Sequence, residues 1–191
     1  SDSGPTLKQY YGNPFPLPMV KVFHRGKINE PFKEGCDAFR KVLQQRLGDI
    51  PLLDAFDKDA LDLLIKSSGG NLRNLMQFIQ EAVLITEELP IKYNIARKGT
   101  QPTVRIYAAA IKESYYPKLV ALDADSKQQI NTEDPDFWTM LENLTVMEYS
   151  NGDDSGDLDD SWYAVNPMVY EVGKFQSARD AFQKAKTKRK K

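Results

Sequence analysis

The sequence predicts a mainly α fold with one small β-hairpin near its C-terminal end. Three observations predict it. Apolar residues recur at helical spacing over the stretches 34–47, 57–67, 71–88, 103–122 and from 134 onward. Only one pair of alternating segments, Val146–Tyr149 and Trp162–Val165, flanks a turn signal, Asn151-Gly152. Finally, 191 residues with 41% hydrophobic and 10% aromatic content supply enough apolar surface for a real core.

The elements follow in order. Residues 1–18 hold Pro5, Pro14, Pro16 and Pro18, a density that no helix survives. Met19-Val20-Lys21-Val22-Phe23 alternates and reads as a short edge or end strand of a sheet that lies elsewhere. The helix at 34–47 carries Cys36, Phe39, Val42, Leu43 and Leu47 on one stripe, and Gly48 stops it. Asp57 is placed to cap the second helix, which carries Ala60, Leu63 and Leu64. Asn71 is placed to cap the third, whose stripe is Leu72, Leu75, Met76, Ile79, Ala82, Val83 and Thr86 and which Pro90 closes. Gly99 and Pro102 mark residues 89–102 as a linker. A helix over 103–122 follows, kinked or ended by Pro117. Asp134-Pro135 then opens a helix by a cap-then-proline start. From Val172 the chain turns polar and increasingly basic, ending in Lys184, Lys186, Lys188, Arg189, Lys190 and Lys191. Helices followed by a β-hairpin, after a linker, is the element order of a winged helix.

Composition excludes several functions. One cysteine, Cys36, allows no intrachain disulfide, and one histidine, His24, makes a zinc site or a histidine-based triad hard to build. Both suit a reducing cytoplasm. No apolar run approaches membrane-spanning length, and Ser1 to Pro5 lacks a signal-peptide pattern. A net charge of −1 does not mark a dedicated nucleic-acid domain.

The segment Ser67-Ser68-Gly69-Gly70-Asn71-Leu72-Arg73 sets a sharp turn directly before a helix, with an arginine in its first turn. The helix dipole disfavours a cation there. Arg73 is therefore a candidate anion binder, adding a guanidinium fork to the unpaired N–H groups of a helix start. A plain Gly-Gly corner with a solvated arginine accounts for the spacing equally well. Ser67 and Ser68 have no paired base, so nucleophilic chemistry is not indicated.

Ser68-Gly69-Gly70-Asn71-Leu72-Arg73-Asn74-Leu75 resembles the lid-helix motif of AAA+ and STAND-type P-loop ATPases. In that family the arginine, sensor 2, reaches the nucleotide phosphates, and Arg73 matches its position. Leu17 to Val22 is similar to the last strand of the ATPase core, and Glu34 to Leu47 to the first lid helix. Leu144–Tyr149 and Trp162–Val169 are similar to the two wing strands. The resemblance covers residues 17–172 and implies four parts: a core remnant over 1–25, a helical lid over 26–96, a winged helix over 97–172 and a basic tail over 173–191. It implies Gly70, Asn71 and Arg73 as nucleotide-binding residues. ATP and magnesium would belong to the full-length parent, and the chain alone would hold neither. The Gly-x-x-x-x-Gly-Lys-Ser/Thr loop of the family does not occur here, so hydrolysis is expected of the parent and not of this chain. The expected partners are the parent's own ATPase core and a protein partner, or a second copy bound through the winged helix.

A freestanding winged-helix nucleic-acid binder is the competing class. The helix that would enter the major groove, from Glu133 to Glu142, is acidic, and the wing loop carries Asp153, Asp154, Asp157, Asp159 and Asp160. Those charges oppose the main driving force for DNA affinity. The loop also lacks the closing glutamate of an EF-hand. Cys36, Trp138 and Trp162 read as core residues.

Overall fold

The computed structural model describes residues 18–125, 134–150 and 161–188. The chain begins with a two-stranded antiparallel hairpin, β1 (Phe23–His24) and β2 (Lys27–Pro31), turned at Arg25-Gly26. Helices follow: α1 (Lys33–Leu47), α2 (Leu52–Ala55), α3 (Lys58–Ser67), α4 (Leu72–Ile85), α5 (Tyr93–Ala110), α6 (Tyr115–Ala124) and α7 (Pro135–Glu142). A second antiparallel hairpin, β3 (Val146–Ser150) and β4 (Ser161–Val165), pairs in unbroken register from Val146↔Val165 to Ser150↔Ser161. A 3₁₀ helix over Pro167–Glu171 and α8 (Gly173–Lys188) complete it. The fold is mainly helical, with two small strand pairs.

Several boundaries fall where side-chain chemistry puts them. Gly48 ends α1. Asn71 caps α4, its side chain accepting from the Asn74 N–H at 3.1 Å. Asp134 caps α7 through the Asp136 N–H, with Pro135 at the first helical position. Asp57 occupies the N-cap of α3, but its carboxylate accepts from Lys92 Nζ at 3.3 Å instead of capping.

Five expectations are corrected. Residues 89–102 are not a linker: α5 starts at Tyr93 and runs through Gly99 and Pro102. The division between residues 96 and 97 therefore falls inside a helix. Gly99 carries the crossing with α4, because a Cβ there would stand 2.8 Å from the Phe78 carbonyl oxygen and 2.9 Å from the Ala82 nitrogen. The single helix over 103–122 is instead α5 and α6, broken at Ile111–Ser114, and Pro117 lies in the first turn of α6, where a missing N–H costs little. Of Met19–Phe23, only Phe23 lies in a named strand, β1. Met19 bridges in parallel to Tyr149, Val22 and Phe23 are buried, and Phe23 pairs with Pro31. The polar stretch after Val172 is helical through Lys188, anchored by fully buried Phe175. Trp138 is not core: it is 52% exposed, whereas Trp162 is buried.

One core runs from Val22 to Phe175. α5 lies at its centre, against α3, α4 and the 3₁₀ helix. Among the described residues, no helix is long and apolar enough to cross a membrane. The proline-rich 1–17, the acidic loop 151–160 and Arg189, Lys190 and Lys191 lie outside the described residues.

Candidate functional site: the Gly69–Gly70 corner

The site builds from the end of α3. Ser68 turns the chain, its hydroxyl donating to the Ile65 carbonyl at 2.7 Å and accepting from the Gly70 N–H at 3.2 Å. Gly69 and Gly70 then take φ of 59° and 84°, left-handed values that side chains disfavour. Asn71 returns its N–H to the Ser68 carbonyl and opens α4. The Ser68 hydroxyl and the Gly70 and Asn71 N–H groups are thus paired within the corner, as a buried turn requires.

Three distant pieces of chain converge on it. A Cβ on Gly70 would overlap the Val20 carbonyl, and the Val20 N–H donates to the Gly70 carbonyl at 3.1 Å. Gly35 of α1 meets the Lys21 carbonyl equally closely, so the strap 19–22 lies between two glycines. From the other side, Tyr149 of β3 donates its hydroxyl to the Gly69 carbonyl at 2.6 Å, and a Cβ on Gly69 would run into Met147 and Pro167. Met19 adds an N–H to the Glu148 carbonyl at 2.9 Å. Tyr149 stacks on Trp162 at 4.3 Å, with Phe23 edge-on to both. Burial drives the Tyr149 hydroxyl pKa well above its usual value. It is a neutral donor at any physiological pH.

The predicted site residues separate by role. Gly70 gives its N–H to Ser68 and its carbonyl to Val20, and the Asn71 side chain is spent on the cap. Both hold the corner. Arg73 is exposed and forms no ion pair among the described residues. The first turn of α4 holds no acidic residue. The N–H groups of Asn74 and Leu75 are taken by Asn71, through its side chain and its carbonyl, and those of Leu72 and Arg73 are the first two of the helix, which have no partner within it. Free donors, a cation and a helix N-terminus suit an oxyanion such as a phosphate.

Sequence reasoning missed Tyr149 and Val20. Their partners lie 80 and 50 residues away, and no spacing rule reaches that far. The paired glycines were the available signal, since two in succession mark a place where other chain comes close.

Among the described residues, the other clusters carry no reactive pair. A cleft of about 330 Å³ between β2, α1 and α3 is lined by Ile28, Cys36, Arg40, Asp62 and Lys66, among others. Arg40 is engaged by Asp37 at 2.7 Å and Asp62 at 2.5 Å. Burial pushes the Cys36 thiol up, against a smaller opposing pull from Arg40, so it stays protonated. Lys118 clamps Asp134 and Asp136 at the start of α7, at 2.6 and 2.7 Å. His24 is exposed and packs edge-on to Phe32. Among the described residues, no group of three His, Cys, Asp or Glu could hold a metal ion.

Compared with protein-family models, curated proteins and solved structures, the chain matches none.

Proposed function

We propose that this chain is the lid and winged-helix part of a P-loop ATPase, with Arg73 sensing the phosphates of ATP and the Gly69–Gly70 corner relaying nucleotide state to the β3–β4 hairpin. The observation that carries the reading is the hydrogen bond from Tyr149 to the Gly69 carbonyl. It ties the helix start bearing the free arginine to a strand of the second hairpin through buried groups. A charge arriving at Arg73 would pull on an element already coupled to β3, and a packed junction has few intermediate positions. The residues fit a bound phosphate at the start of α4, and the nucleotide and its magnesium ion would supply the anion and the hydrolysable bond. Within this chain, α5–α7 followed by β3 and β4 has the order of a winged helix. Its acidic α7, with Trp138 half exposed, favours a protein partner over a phosphate backbone.

Arg73→Ala in the full-length protein with its ATPase core tests the sensing role. Nucleotide affinity or turnover is expected to fall roughly ten- to a hundredfold, the scale of one lost hydrogen bond to a charged group. Unchanged values for both would remove Arg73 from the site.

A further inference from the structure

Two surface features are incomplete in opposite senses. The first is the far end of α4. Val83, Leu84, Ile85 and Leu89 are 52%, 71%, 46% and 57% exposed, a concentration of large apolar side chains that a lone surface rarely tolerates. Glu81, Glu87 and Glu88 stand among them and form no ion pair among the described residues. The second is the free end of α8. Phe175 and Ala178 face the body, and Phe182, next on the same helical stripe, is 40% exposed. Every side chain from Asp180 to Thr187 is exposed. This length carries Lys184 and Lys186, likewise without ion pairs among the described residues, and the sequence continues Lys188-Arg189-Lys190-Lys191.

A solvent-exposed helix end is marginal in water, and the charges of Lys184 and Lys186, unpaired among the described residues, add nothing to hold it. An apolar seat with an acidic rim would relieve both conditions, and this chain displays one. We propose that the free end of α8 docks on the α4 end of a second copy of this chain. Phe182 covers Val83, Leu84 and Leu89, and Lys184 and Lys186 face Glu81, Glu87 and Glu88. Complementary charge selects this occupant. A nucleic acid would take up the lysines and leave the apolar patch and its glutamates bare. The contact is heterologous: each copy offers one seat and one helix, so assembly passes beyond the dimer unless a ring closes. Neither Arg73 nor the glycine corner takes part, so the contact stands separately from nucleotide sensing.

Sedimentation of the full chain over a wide concentration range, at low and high salt, tests it. Salt-sensitive growth past the dimer is expected. Leu84→Glu and Phe182→Ala, both at exposed positions, are expected to weaken association about tenfold or more without lowering the melting temperature. Two charge-reversed proteins complete the test, one with Glu87→Lys and Glu88→Lys, the other with Lys184→Glu and Lys186→Glu. Each alone is expected to stay monomeric, and their mixture to regain association, with the two proteins alternating. A monomer at every concentration, or an assembly indifferent to these changes, overturns the proposal. So does a mixture that does not regain association, or reversals that alter stability while the chain stays monomeric, which would mean that α8 folds onto its own α4.

Discussion

Gly48 and Gly70 share a left-handed backbone and differ in what surrounds them. At Gly48, with φ of 63°, a Cβ would meet nothing within 4 Å, whereas at Gly70 it would overlap the Val20 carbonyl. Gly48→Ala therefore meets only the backbone penalty and is expected to cost about 1 kcal/mol. Gly70→Ala adds displacement of the strap and is expected to cost on the order of 3 kcal/mol. Denaturant titration of the two variants measures the difference, and equal losses would show that the strap gives way freely. Tyr149→Phe keeps the ring stacked on Trp162 and leaves the Gly69 carbonyl without its hydroxyl donor. A loss of about 1–2 kcal/mol is expected in the same titration.

At the scale of elements, the amphipathic helices and the β3–β4 hairpin were legible because each has its own period. α1, α3 and α4 lie within a residue or a few of where spacing and caps put them. α5 was not legible because Gly99 and Pro102 read locally as breakers. Gly99 instead permits the close crossing with α4, and Pro102 deprives only the carbonyl of Lys98, which lies on the exposed side. α8 was hidden by its polarity, since among its described side chains only Phe175 is buried. The β1–β2 turn at Arg25-Gly26 left a weak signal in a two-residue loop with glycine second. Of the candidate site, the helix start and Arg73 were readable, because caps and turns are local. The strap and Tyr149 were not, because tertiary contacts bring them in. The cap itself supplies a check: Asn71→Ala is expected to cost about 1 kcal/mol, and Asn71→Asp much less. Equal losses in a thermal melt would mean that the side chain does not hold α4.

For the whole molecule, five tyrosines share one pH dependence. Burial raises the hydroxyl pKa of Tyr107, Tyr116, Tyr149, Tyr163 and Tyr170 above the ordinary 10.0. At Tyr163 burial, with Glu148 beside it, pushes the value up to about 12. The unfolded chain gives up these protons first, so above pH 10 it binds fewer protons than the folded chain. The stability they contribute is complete below that pH and is lost as pH rises toward 12 and beyond. Melting temperatures recorded against pH are expected to bend downward above 10, and Tyr163→Phe to soften the bend between 10 and 12. The same connectedness underlies the proposed relay, because the strap, the glycine corner and β3 share one core. Amide hydrogen exchange at Val146–Ser150 in the full-length protein that the proposal calls for, with and without a non-hydrolysable ATP analogue, tests that relay most directly. The expected result is a nucleotide-dependent change in protection of β3 that disappears in Arg73→Ala. A hairpin whose exchange ignores nucleotide, or changes equally without the arginine, would contradict it.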